Sequence, residues 1–247
     1  MISKNQAKFI KSLQLKKYRK QAQCFVVDGE KGVKEAIQSD FELVQIVCTE
    51  SFAESNQSLF PKGVELITAN EKQLSQISSF QTNENVLAVV RQKPNQVPQI
   101  GANEFVLVLD DIRDPGNLGS IIRSADWFGV RKIIASPETA DFYNPKVINA
   151  TMGSFTRVRF GYTDLVELFS TTNANVYGTF MKGSDVHSFS FKSPAYIVIG
   201  NEGQGISSAV GQFVTARVSI PGVEGAESLN AAVATGIVLD NLSRLKK

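Results

Sequence analysis

Histidine occurs once in this 247-residue chain, as His187, and cysteine only twice, as Cys24 and Cys48. Each scarcity excludes some chemistry. His187 sits in the polar run DVHSFSF and no G-x-S-x-G elbow exists, so a Ser–His–Asp hydrolase has no frame here. A lone histidine without a cysteine or carboxylate cluster gives no metal-ligand spacing. The cysteines lie in apolar strand-like runs, CFVVDG and VQIVCTE, and read as buried free thiols rather than a disulfide framework. There is no G-x-x-x-x-G-K-[ST], hence no P-loop, and no G-x-G-x-x-G after a strand, hence no dinucleotide fingerprint. No charged-then-apolar signal opens the chain, and no apolar run approaches the roughly 18 residues of a membrane span. The expectation is a soluble, cytoplasmic protein with no metal and no membrane partner.

What is present is enough apolar residue for a real core, 43%, with 20% charged residues and a formal net charge of +2. On a near-neutral chain the placement of charge matters more than its sum. The amino-terminal stretch is crowded with Lys4, Lys8, Lys11, Lys16, Lys17, Arg19, Lys20, Lys31 and Lys34, opposed before residue 35 only by Asp28 and Glu30. A localised basic face points to a polyanionic partner, nucleic acid above all, against the blander reading of a solvated helix surface.

Residues 5–18 read as a helix with Phe9, Leu13 and Leu15 on or near one face. Strands (CFVVDG, ELVQIVCTE, VELIT, ENVLAVVRQ) then alternate with helices (KGVKEAIQS, ANEKQLSQIS), the second capped by Thr68 or Asn70, which describes a small α/β unit over 1–91. QKPNQVPQIGAN, residues 92–103, is the linker candidate. From 104 to 247 the alternation restarts, with continuous apolar runs FVLVL and YIVI suited to parallel strands buried on both faces. NPKVINATMGSF looks like a helix starting at a proline, and SLNAAVATGIVLDNLSRLK like a last helix with Ser228 as its N-cap.

Three junctions in this second unit concentrate glycine with polar residues. In RDPGNLGSIIR, Gly116 permits a tight turn, Asn117 can cap the helix, and Arg123 follows about two turns in. In YIVIGNEGQGIS a buried strand ends in Gly200-Asn201-Glu202-Gly203-Gln204-Gly205, where ligands bind in open α/β sheets. In VSIPGVEGAESLNAAVATGIVL a strand runs through a glycine loop into a helix. There Ser228 has a structural explanation as the cap, whereas Asn230, inside the first turn, adds little helix propensity.

Together these segments resemble the three motifs of the SpoU/TrmH family of the SPOUT superfamily of RNA methyltransferases, in order, over about residues 104–247. NPKVINATMGS resembles the segment that family carries between its first two motifs, and residues 3–36 resemble the small substrate-binding domain of many members. The resemblance implies a small N-terminal α/β RNA-binding domain followed by an α/β domain whose carboxyl-terminal segment forms a deep trefoil knot. It also implies S-adenosylmethionine as cofactor and a homodimer formed through the C-terminal domain, with the site at or near the interface. Arg123 would be the central catalytic residue, and Asn117, Glu202, Ser228 and Asn230 match the remaining catalytic motif positions. Thr179, Gly200, Asn201, Gly205, Ile220 and Leu229 would hold the cofactor. Lys16, Lys17, Arg19, Lys20 and Arg157, with Arg159 beside it, are the RNA-contact candidates. Departures are Gly222-Val223, where the family often has methionine after IP, and a slightly longer third-motif loop. Trp127 reads as core or dimer packing rather than a base-stacking platform.

Methyl transfer from a sulfonium to a ribose 2′-hydroxyl requires in-line positioning and stabilised negative charge on oxygen, but no metal and no covalent enzyme intermediate. An asparagine orients and an arginine supplies fixed charge, since guanidinium does not titrate at neutral pH. The favoured substrate is ribosomal RNA, with transfer RNA as the closest alternative. A silent RNA-binding scaffold and base rather than ribose methylation are the competing readings.

Overall fold

A computed structural model describes residues 2–80, 85–223 and 228–244. The chain begins with α1 (Lys4–Ser12), α2 (Lys16–Ala22), β1 (Cys24–Asp28), α3 (Glu30–Ile37) and β2 (Leu43–Cys48). It continues through α4 (Glu50–Ser55), β3 (Glu65–Thr68), α5 (Glu71–Ile77) and β4 (Val86–Arg91). Next come β5 (Phe105–Asp110), α6 (Pro115–Trp127), β6 (Lys132–Ala135), α7 (Pro145–Ala150), β7 (Arg159–Tyr162) and α8 (Leu165–Ser170). The last elements are β8 (Asn175–Asp185), β9 (Ala195–Gly200), α9 (Ser208–Gly211), β10 (Ala216–Ser219) and α10 (Ala231–Arg244).

These elements form two compact units. The first takes residues 1–94 together with 141–156, and the second takes 95–140 and 157–247. The segment NPKVINATMGSF, expected inside the second unit, is therefore part of the first. The reason is aromatic packing: Phe155 meets Phe25 at 6.0 Å and Phe41 at 5.6 Å, and Tyr143 lies 4.7 Å from Phe25.

The first unit holds a four-stranded sheet in the order β1-β4-β2-β3, antiparallel except for the β2–β3 pair. Ile10, Leu13, Val26, Val47, Leu74, Leu87 and Val89 form its core. The amphipathic reading of residues 5–18 needs correction. The helix stops after Ser12 and restarts at Lys16, and the core anchors are Ile10 and Leu13, while Phe9 and Leu15 are exposed. Asn70, not Thr68, caps α5, through a capping box with Gln73. Both cysteines are buried free thiols, and burial pushes the Cys48 thiol up to about 11.

The second unit holds a six-stranded, all-parallel sheet in the order β10-β8-β9-β5-β6-β7. β5 is buried along both faces, as its unbroken apolar run requires. Val106 and Val108 join Phe169 of α8 and Val210 of α9 in one core cluster. Helix α10 packs against α6 and β9. Chain order reverses between β5 and β9, which creates a crevice at their carboxyl ends. Among the described residues, no helix is long and apolar enough to cross a membrane.

Candidate active site at the carboxyl ends of β5 and β9

Asp110 and Gly200 are register partners at the ends of β5 and β9, so the segments leaving those strands emerge side by side. After β5, Asp114 caps α6 by accepting from the Asn117 amide at 2.7 Å, and Pro115 occupies the first turn. This corrects the expected cap: Asn117 sits at the third helical position, and its side chain is free for other work. It donates from Nδ2 to the Glu202 carboxylate and accepts at Oδ1 from Asn230 Nδ2 at 2.9 Å.

After β9 the chain folds tightly onto itself. Asn201 and Gly205 exchange backbone hydrogen bonds of 3.0 and 2.8 Å, with Gly205 at φ +69°. A Cβ on Gly200 would lie 2.2 Å from the Gly205 carbonyl carbon, so no larger residue fits. The Asn201 side chain is consumed in building this turn. Its Oδ1 accepts from the amides of Gly203 and Gln204, and its Nδ2 donates to Asp111 O at 2.9 Å. The amides of Asn201, Gly203, Gln204 and Gly205 are thus engaged within the turn and are not the open amide cradle its glycines suggest.

The third junction closes the cluster. Ser228 Oγ donates to Glu202 O at 3.1 Å. Asn230 Oδ1 accepts from the Ala232 and Val233 amides at 2.9 and 3.3 Å, so it is Asn230 that caps α10. Ser228, expected as the cap, instead ties its loop to the β9 turn. Asn230 does two jobs with one amide, which fixes the orientation of its O and N atoms and, through them, those of Asn117.

Four of the five catalytic candidates thus join in one chain, Ser228 to Glu202 to Asn117 to Asn230. Arg123 does not join it. Six residues along α6 is about 9 Å of rise and carries a side chain roughly 120° round from Asn117. Arg123 is exposed and makes no hydrogen bond or ion pair among the described residues. Two residues that sequence reasoning passed over support the cluster. Buried Asp110 accepts from the Ser207 amide at 2.7 Å, and Asp111, at φ 59°, supplies the carbonyl that Asn201 holds. Their signal was the acidic pair directly after a buried strand.

Of the cofactor candidates, Ile220 is half-buried and Leu229 is 46% exposed, an apolar surface left uncovered beside a polar cluster. Thr179 Oγ1 is committed to Val198 O at 3.1 Å. Uncovered Leu229 and half-buried Ile220 suit an adenosyl group, whose ring needs apolar contact.

Among the RNA-contact candidates, Lys16, Lys17 and Lys20 are exposed. Arg19 is a correction: it is 2% exposed, and its guanidinium donates to Leu13 O, Gln14 O and, twice, to Asp141. It ties the α1–α2 turn to the segment at 141 with four of its five N–H donors, and its burial keeps it from an RNA surface. Arg157 is exposed and donates to Asp126 at 2.7 Å. Trp127 is 84% exposed, which removes the core-packing reading. No group of three potential metal ligands occurs among the described residues.

Residues 104–240 match the SpoU rRNA Methylase family, and residues 4–88 match the MRM3-like substrate binding domain. The chain belongs to the SpoU rRNA methylase family. It is 28% identical, over 97% of both chains, to the 23S rRNA (guanosine(2553)-2′-O)-methyltransferase RlmP of Bacillus subtilis. It superposes with a TM-score of 0.88 on an AdoMet-bound rRNA methyltransferase from Sinorhizobium meliloti, at 30% identity and covering 99% and 97% of the two chains. A TM-score of 0.88 also relates it to the SpoU methyltransferase AviRb from Streptomyces viridochromogenes in complex with AdoMet, at 25% identity over 99% and 98%.

Proposed function

We propose that this chain is an S-adenosylmethionine-dependent methyltransferase that modifies a ribose 2′-hydroxyl of ribosomal RNA. The observation that carries the reading is the Glu202–Asn117–Asn230 network at the carboxyl ends of β5 and β9, held by Ser228. When bound, the cofactor supplies an electrophilic methyl on a sulfonium. The protein's part is to position and to stabilise. Glu202 spends one carboxylate oxygen on Asn117 and keeps acceptor capacity for a hydroxyl or a cationic group. Asn117 is locked between donor and acceptor, so it orients without rearranging during the reaction. Leu229 and Ile220 give the adenosyl group its apolar contact, with Gly200, Asn201, Gly205 and Thr179 as neighbours contributing backbone.

Arg123 supplies fixed positive charge to the reacting oxygen or the adjacent phosphate. Its direction around α6, away from Asn117, fits delivery into the site of a second copy. The homodimer belongs to this reading, supported by the apolar residues Trp127 on α6 and Val233 on α10, 84% and 52% exposed on helices that pack together. The trefoil knot and a cytoplasmic location belong to it as well. Residues 1–91 act as the RNA-capturing domain, 92–103 as the linker and 104–247 as the catalytic domain, except that 141–156 pack within the first unit. Lys16, Lys17 and Lys20 contact phosphates, with exposed Leu15 and Tyr18 among them.

The test is to incubate the purified protein with S-adenosylmethionine and separately with ribosomal and transfer RNA, then digest with alkali. Alkali-resistant dinucleotides in ribosomal RNA are expected. Modified bases with normal alkaline cleavage would indicate base methylation, and cofactor-independent RNA binding without transfer would indicate a silent scaffold.

A further inference from the structure

At the opposite, amino-terminal end of the same parallel sheet lies a cavity of about 500 Å³, lined by the starts of β5, β6 and β7 and by the turn after α6. Four cations line it: Arg131, Lys132, Arg157 and Arg159. Lys132 bonds Glu104, which also accepts from the Gly101 amide at 2.7 Å. Arg131 and Arg157 both pair with Asp126, at 3.3 and 2.7 Å.

Arg159 is exposed and has no ion pair among the described residues. It is the register partner of Lys132 on the neighbouring parallel strand, and its amide bonds to Arg131 O at 2.7 Å. Like charges standing opposite one another on adjacent strands are destabilising unless something neutralises them. The field reaches Glu104, whose carboxyl is held below its usual range, first by the Lys132 bond, then by the Gly101 amide, with the charges of Lys132 and Arg159 adding to it.

We infer that this cavity is a second RNA-backbone site, taking phosphodiester groups on Arg159, Arg131 and Lys132 away from the catalytic cluster. The inference rests on the RNA reading above. β5 is six residues long, so the two ends of the sheet are separated by about 20 Å. Only a ligand several nucleotides long reaches both. Apart from Phe105, the large side chains lining the cavity are charged, which suits phosphate and disfavours an apolar small molecule. β7 is the edge strand of the sheet, so a polynucleotide can pass the cavity without threading the fold.

The test uses the full chain and a transcript of large-subunit ribosomal RNA, with affinity measured over a salt series. Arg159→Gln should lower the slope of log affinity against log salt by about 0.7–0.9, and Arg131→Gln in the same chain by a similar further amount. Affinity near physiological salt should fall about fivefold per lost contact. The loss should appear in KM for RNA, with S-adenosylmethionine affinity unaltered, and Arg159→Lys should restore the slope. Unchanged slopes in both Gln variants, with wild type binding normally, overturn the cavity and leave the RNA reading intact. A wild-type protein with no salt-dependent affinity for the transcript overturns both.

Discussion

At the carboxyl ends of β5 and β9, the Asn117 amide is held between Glu202 and Asn230, and the Asn201 side chain bonds both its own turn and Asp111 O. At the amino ends of β6 and β7, Lys132 and Arg159 stand side by side and Glu104 hydrogen-bonds only the first. One end satisfies its polar groups internally and offers a preset geometry. The other leaves Arg159 without an ion pair among the described residues. Preset geometry is what a reaction centre needs, because dipoles that are already aligned cost nothing to reorganise. Unspent charge is what a polyanion contact needs, because its gain comes from counterion release. The amino-terminal helices repeat the contrast on a smaller scale, with Arg19 buried and making four hydrogen bonds among exposed Lys16, Lys17 and Lys20.

The largest expected effect falls on the one catalytic candidate outside the network. Arg123→Ala should lower the methyl-transfer rate by about 10²–10³ while leaving S-adenosylmethionine affinity unchanged. Activity close to wild type would end its assignment as the charge that stabilises the transition state.

Next comes Arg19→Met, which leaves the partly buried Asp141 carboxylate without this partner. A stability loss of about 3 kcal/mol is expected in chemical denaturation, with no change in the salt slope of RNA binding. Replacing Lys16, Lys17 and Lys20 together by Gln should do the reverse, lowering the slope and leaving stability within about 0.5 kcal/mol. If Arg19→Met moved the slope and the lysines did not, the contrast between spent and unspent charge would be drawn the wrong way round.

Asn117→Asp sharpens the network claim, since it sets a carboxylate against that of Glu202 and removes the donor between them. A stability cost of about 1–3 kcal/mol and a fall in transfer rate are expected, both partly relieved by adding Glu202→Gln. A double-mutant cycle that showed no coupling would mean the hydrogen bond does not operate in solution.

The smallest effect is confined to alkaline pH. Burial pushes the Tyr143 hydroxyl up to about 12 from an ordinary 10, and Cys48 up to about 11 from 9. Both groups hold their protons more tightly when folded. Their contribution is therefore complete below the unfolded values and is lost as pH rises through the folded ones. Stability should decline from about pH 9 to 12, and Tyr143→Phe should flatten the upper part of that decline.

Much of this was legible in the sequence. Strand–helix alternation and the buried runs FVLVL and YIVI predict the parallel sheet, and the three glycine junctions mark where Asn117, Glu202, Ser228 and Asn230 converge. Other features were hidden for physical reasons. An arginine among lysines looks like surface, and Arg19 differs only because Asp141, 122 residues away, meets it. Ser228 and Asn230 are both good caps by type, and only geometry decides that Asn230 caps while Ser228 reaches the Glu202 carbonyl. The membership of 141–156 in the first unit depends on long-range aromatic contacts to Phe25 and Phe41, which no local pattern encodes.

The most direct test of the central claim is a map of 2′-O-methyl sites across all cellular RNA, compared between cells with and without this gene. The account predicts that a ribosomal RNA site disappears with the gene, returns with the wild-type protein and does not return with Arg123→Ala. A map identical in both cells, or a lost site restored equally by Arg123→Ala, would contradict it.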